Sequence, residues 1–277
     1  MNKVWFVTGA SRGLGRKIVE GALSAGDNVV ATARNPEGLG GIEHGVEDRL
    51  LAVRLDVTQA DEARQAVAAA IARFGRIDVV VNNAGKADFA AIEDCDEASF
   101  RRQVETVFFG VVNVTKAALP VLRRQGSGHF IQISSAGDRM ATPGLAAYQS
   151  AKWAVTGFSS TLAAEVAPLG IKVSILEPGT MATDMPGGSS MDMSAVSTPY
   201  QSTVGTVAER IRGSFRTAPN DPAKVAALVI RLAQMAEPPV RLLVGRDALE
   251  YGEAATKALL AQDARWKCLS SSVNEQA

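Results

Sequence analysis

The chain is predicted to fold as a doubly wound α/β domain, a seven-stranded parallel sheet with helices on both faces. Three observations carry this reading. Short β-rich runs alternate with longer helical patterns from end to end. Most of these runs are continuously apolar rather than alternating, which suits strands covered on both faces. A glycine-rich turn joins the first run to the first helical pattern, as where a backbone must bend tightly between strand and helix. No linker or repeat interrupts the 277 residues. Residues 1–277 therefore read as one domain, large enough for a substantial core.

Taken in order, the first strand spans residues 4–8. It runs into Thr8-Gly9-Ala10-Ser11-Arg12-Gly13-Leu14-Gly15 and a helix over 14–24. Such glycines let backbone N–H groups close on a pyrophosphate at the positive end of a helix. The spacing G-x-x-x-G-x-G departs from G-x-G-x-x-G, but the strand–loop–helix context still favours a dinucleotide. The second strand, 28–33, ends at Arg34. An acid there would bind the ribose 2′-hydroxyl of NAD. Arg34, together with Arg12 of the glycine loop, suits a 2′-phosphate and favours NADP over NAD.

The third strand, 50–55, is followed by Asp56-Val57 and a helix over 60–73. The fourth, 77–81, runs into Asn82-Asn83-Ala84-Gly85, and a long helix follows over 97–119. The fifth strand, 129–134, is followed by Ser135, and a helix over 147–166 opens on Tyr148-Gln-Ser-Ala-Lys152. The sixth, 171–176, leads to Pro178-Gly179. A helix over 222–236, a seventh strand at 241–244 and a C-terminal helix and tail over 246–277 complete the chain, with the helix at about 249–266.

Tyr148 and Lys152 stand one helical turn apart on one face. A free phenol titrates near pH ~10. A nearby ammonium lowers that value and brings the phenol into range for acid–base work. Ser135, thirteen residues upstream, adds a hydroxyl able to hold a carbonyl or alcohol oxygen. The three together suggest proton exchange with such an oxygen.

Residues 184–218 are rich in Gly, Ser, Thr and Met and read as a substrate lid, with only a faint, late helical signal. Met185, Met191, Met193, Val196 and Tyr200 make it largely apolar. The formal net charge is zero, which gives no electrostatic case for nucleic acid or a membrane surface. Cys95 and Cys268 lack metal-ligand spacing, and so few cysteines suit a reducing compartment. No stretch reads as a signal peptide or a bilayer span, so a cytoplasmic location is expected. His44 and His129 have no ligand-like partner, and no metal site is expected.

In identity and order these motifs resemble the short-chain dehydrogenase/reductase family over nearly the full chain. The resemblance implies a Rossmann-type fold and hydride transfer between NADP(H) and a ketone or secondary alcohol. It places Gly9, Ser11, Arg12, Gly13, Leu14, Gly15 and Arg34 on the cofactor, Asp56 and Val57 at the adenine, and Asn83, Ala84 and Gly85 at a ribose. Asn82 would tie strands together. Pro178, Gly179 and Thr183 would flank the nicotinamide. Tyr148 would be the acid/base, Lys152 would bind the nicotinamide ribose and lower the Tyr pKa, and Ser135 would orient the substrate oxygen. The resemblance also implies a dimer or tetramer paired through the helices at 97–119 and 147–166. The C-terminal helix could instead cover part of that surface.

One position departs from the family. Relatives carry an Asn three residues before a Gly in the long helix, where it helps hold a water linking the active-site Lys to solvent. Here Glu105-Thr106-Val107-Phe108-Phe109-Gly110 puts Val107 there. Asn113 is rotated by roughly 240° from it on a helix. A rerouted relay, an impaired or engineered variant and a binding-only role all remain open. Substrate selectivity is expected from the lid, from 137–145 and from 86–89. An apolar or aromatic ketone suits the lid better than a sugar. Lys86 is either solvated or at the site mouth, where it would favour a polar or anionic end.

Overall fold

Side-chain alternation along the strands builds two hydrophobic layers. The computed structural model describes residues 2–42, 46–181, 191–193, 195–214 and 218–274. Its strands are β1 (Val4–Thr8), β2 (Asn28–Ala33), β3 (Leu50–Arg54), β4 (Val79–Asn82), β5 (Ala87–Phe89), β6 (Gly128–Ile133), β7 (Ile171–Pro178), β8 (Met191–Met193) and β9 (Arg241–Val244). Seven form one all-parallel sheet in the order β3-β2-β1-β4-β6-β7-β9, while β5 and β8 pair in parallel as a separate ribbon.

The helices are α1 (Gly13–Ser24), α2 (Ala60–Phe74), α3 (Glu97–Val104), α4 (Gly110–Gln125), α5 (Ala146–Val166), α6 (Thr206–Ser214), α7 (Pro222–Gln234) and α8 (Arg246–Ser271). Trp5, Val7, Val29 and Ala31 pack with Ile18 of α1 and Val229 and Leu232 of α7. Phe6, Val30 and Val80 face the other way, towards Val67 of α2, Val114 and Leu122 of α4, and Leu162 of α5. Successive residues of one strand thus serve opposite layers, as the period of two requires.

The departures from the expected elements have local causes. Ile77 lies outside β4 because its N–H and C=O bond to the Gln125 side chain. The long helix does not stop before Pro120; the exposed ring sits inside α4, which ends at Gly126 with φ +65°. A π-helical turn, Glu105–Phe109, joins α3 to α4. Together they make a helical run, Glu97–Gln125, that by length and composition alone could cross a bilayer, contrary to expectation. Its Val107, Val111, Val114, Ala118 and Leu122 are buried in the protein.

Within the expected lid, Val196 and Tyr200 pack around buried Phe89, Val204 and Ala208, and α6 is the late helical signal. The C-terminal helix is longer than expected. Beyond Ala248 and Gly252 its residues are half-buried or exposed. Exposed Phe109 and Trp153 remain on the surface of the long helices.

Candidate active site

Strand order reverses between β1 and β4, so the carboxyl ends of β2, β1 and β4 open a crevice where open α/β sheets take ligands. The glycine loop lines it. Gly9 has φ +65°, and a Cβ on it would meet the Ala84 backbone at 2.9 Å. A Cβ on Gly15 would lie 2.3 Å from the Gly9 carbonyl. Gly13 has φ +52° and open space beside it, so the loop offers backbone and room rather than side chains. Leu14 is buried beneath it. These features fit a pyrophosphate at the start of α1.

Thr8 and Asn83 hold this cradle together. Thr8 Oγ1 accepts from the N–H groups of Asn83 and Ala84 at 2.9 and 3.1 Å. Asn83 Nδ2 donates to the carbonyls of Thr8 and Gly9 at 3.0 and 3.2 Å. The Asn83 amide nitrogen thus binds the loop itself, a tie that the ribose reading did not anticipate. Asn82 bridges Thr115 and Gln132 at 3.1 and 2.9 Å, consistent with a strand-tying role. Ser11 lies against Gly38, just beyond β2. Exposed Arg12 and Arg34 flank the same end of the β1–β2 pair. Asp56 Oδ1 accepts from the N–H and hydroxyl of Thr58, and Val57 is buried against Gly110.

Ser135, Tyr148 and Lys152 converge where β6 ends and α5 begins. The Ser135 side chain hydrogen-bonds Tyr148, and its Oγ accepts the Gly137 N–H at 3.0 Å. Lys152 is buried; its Nζ lies 5.7 Å from the Tyr148 ring centroid and donates to the Ile133 carbonyl at 2.6 Å. Burial pushes this ammonium down to about 8, while the Asp138 carboxylate works in the opposite direction.

The Tyr148 pKa departs from expectation. Tyr148 is half-buried as a residue, and its hydroxyl sits deep enough for burial to raise the phenol. The Ser135 bond opposes this rise and Asp138 adds to it.

Pro178 ends β7, and Gly179 N–H donates to the Val244 carbonyl at 3.0 Å. Asp247 fixes this turn by accepting from Thr180 N–H at 2.7 Å and Asn220 Nδ2 at 2.8 Å. A Cβ on Gly179 would strike the Asp247 carboxylate. Asp247 and Asn220 carried no motif signal, because their part depends on α8 meeting the end of β7. Thr183 and Met185 lie outside the described residues, as does His44.

Val107 is fully buried within the π-turn and packs towards Gly85. Asn113 donates to the Val57 carbonyl at 2.9 Å and so is committed elsewhere. Lys86 pairs with Asp88 at 2.9 Å, which offsets the charge that at the site mouth would favour a polar or anionic end. His129 Nε2 meets Ser174 Oγ at 3.0 Å. Among the described residues, no group of three or more His, Cys, Asp or Glu side chains could hold a metal.

Comparison with known proteins fits this geometry. The family model described as short chain dehydrogenase matches residues 3–193. The chain is 52% identical to Oxidoreductase BOA17 of Botryotinia fuckeliana over 271 residues, 98% of each protein. A short-chain dehydrogenase from Streptomyces avermitilis shares its structure at TM-score 0.91 with 38% identity, over 99% of this chain and 98% of that one. A short chain dehydrogenase from Burkholderia cenocepacia, solved in complex with NADP, aligns at TM-score 0.74 with 26% identity over 95% and 97% of the two chains.

Proposed function

Given that this chain belongs to the short-chain dehydrogenase/reductase family, oxidoreductases that bind a nicotinamide dinucleotide and act on small molecules, we propose that it is an NADP-dependent carbonyl reductase, reversible as an alcohol dehydrogenase. The observation that carries this reading is the convergence of Ser135, Tyr148 and Lys152 at the carboxyl edge of the same parallel sheet that carries the glycine cradle.

When bound, the dinucleotide supplies the hydride. Ser135 holds the substrate oxygen, and Tyr148 gives that oxygen its proton in reduction and takes it back in oxidation. Lys152 holds the nicotinamide ribose and supplies positive charge beside the phenol. The bulk of the catalytic effect from these side chains is position and electrostatics.

Arg12 and Arg34 support NADP through their charge, and the Burkholderia relative was solved with that cofactor. An apolar or aromatic ketone fits the packing of Val196 and Tyr200 around Phe89. Exposed Phe109 and Trp153 support pairing of two copies through the long helices, which sedimentation tests. Val107 supports a second reading, a dinucleotide sensor with impaired chemistry.

Titration with NADPH and NADH, followed by a ketone screen, separates these readings. Turnover with NADPH supports the reductase, turnover with NADH alone supports an NAD-linked enzyme, and tight NADPH binding without turnover supports the sensor.

A further inference from the structure

Behind the Ser135 turn lies a set of charged side chains that the proposed proton transfer does not use. The side chains of Asp138 and Glu177 are completely buried. Asp138 Oδ2 accepts from Ser134 Oγ at 2.7 Å and from Thr156 Oγ1, while Oδ1 faces Arg241 Nη2 at 3.4 Å. Glu177 is held by Arg241 Nε at 2.5 Å and by Arg139 Nε. Buried ion pairs of this kind are weak devices for stability, since apolar replacements often serve as well.

The placement of Asp138 suggests a more specific task. Ser134 precedes Ser135, and Thr156 follows Lys152 by one helical turn. Ser134 Oγ also contacts Thr156 Oγ1 at 3.0 Å and the Lys152 carbonyl at 3.4 Å. One carboxylate therefore fastens the strand end that carries Ser135 to the helix that carries Tyr148 and Lys152. We propose that Asp138 is a positioning residue for the acid–base pair: its carboxylate ties the strand end that carries Ser135 to the helix that carries Tyr148 and Lys152, and sets a negative charge behind both groups. This inference rests on the reductase reading for its role in turnover, but not for its electrostatics.

The field of Asp138 reaches both groups, favouring the protonated form of each. Its own carboxyl is raised by burial, opposed by the Thr156 and Ser134 bonds; Glu177 raises it further and Arg241 opposes. The surrounding charges are mostly matched. Glu177 of β7 lies between Arg139 and Arg241 of β9. Asp247, in the first turn of α8 beside Arg246, is engaged by Thr180 and Asn220. Lys86 and Asp88, on the segment packed near the start of α5, pair with each other.

The test follows Tyr148 ionisation in the full chain by NMR of ring-labelled tyrosine, with Tyr148→Phe assigning its signal among the three tyrosines. Asp138→Asn should lower the Tyr148 midpoint by about one pH unit, the low end of close charge effects. Arg241→Gln should raise it, and Ser134→Ala, which leaves the charge in place, should not move it. An unmoved midpoint in folded Asp138→Asn overturns the proposal. If that variant does not fold, an unmoved or lowered midpoint in Arg241→Gln overturns it instead. The readout needs no turnover, so failure to reduce any ketone would sink the reductase reading alone.

Discussion

Lys152 Nζ donates to the Ile133 carbonyl at 2.6 Å, so the ammonium is anchored to the end of β6 rather than to Tyr148. The strand that delivers Ser135 also fixes the charge, 5.7 Å from the Tyr148 ring centroid. Lys152→Met removes both the anchor and the charge. We expect kcat/KM for ketone reduction to fall by roughly 10²–10⁴-fold, the range typical of lost acid–base assistance. Steady-state kinetics with NADPH check this, and a loss below tenfold would contradict it.

Cofactor choice is tested at the two flanking arginines. Arg12→Ala and Arg34→Ala should each weaken NADPH by about tenfold and leave NADH nearly unchanged, as for a lost charge-assisted hydrogen bond of roughly 1.5 kcal/mol. Fluorescence titration of each dinucleotide measures this. Equal losses for both would place the arginines away from a 2′-phosphate.

Val107 offers a separate test. An Asn side chain there would enter a fully buried position, at a cost of roughly 1–3 kcal/mol if its amide finds no partner. We expect Val107→Asn to lower thermal stability, raise the single-turnover rate and leave NADPH affinity unchanged. Equal or slower single-turnover chemistry would show that this site does not use the family's water relay.

His129 should dominate part of the acid sensitivity. Ser174 Oγ donates to the Pro239 carbonyl at 2.7 Å, so it accepts from His129 Nε2–H. Burial, then the charges of Lys172 and Lys3, lower the imidazole to about 3. The unfolded chain therefore takes up a proton below pH ~6.5 that the folded chain refuses until about 3. Stability contributed by neutral His129 is present above that window and falls as pH drops through it. Between pH 7 and pH 4 the loss is on the order of 3 kcal/mol. Urea unfolding of His129→Gln should show a shallower acid slope; an unchanged slope would contradict the assignment.

Asp247 links the C-terminal helix to the turn after β7. Asp247→Ala removes the acceptor for Thr180 N–H and Asn220. We expect NADPH affinity to fall several-fold with a stability loss of about 1 kcal/mol, as for partly buried groups that lose a hydrogen-bond partner. Calorimetric titration and thermal unfolding measure the two effects.

Much of this architecture is legible from one sequence because its signals are local. Apolar runs such as Val4–Thr8 announce strands, and Gly9, Gly13 and Gly15 mark a tight turn by needs that only glycine meets. Tyr148 and Lys152 share a helix, so their spacing alone predicts proximity. The ties of Asp247 and Asn220 were not legible, since they join residues distant in sequence. Asp138 and Glu177 gave no warning, because nothing in their neighbours marks them as buried. The expectation for Tyr148 also missed burial, which depends on the whole fold and raises the phenol.

The central claim is that Tyr148 moves the proton during hydride transfer. Its most direct test is single-turnover oxidation of bound NADPH by a ketone substrate, comparing the native chain with Tyr148→Phe. The account predicts a rate at least about 100-fold lower in the variant, with NADPH affinity within twofold. A Tyr148→Phe rate equal to that of the native chain would contradict it.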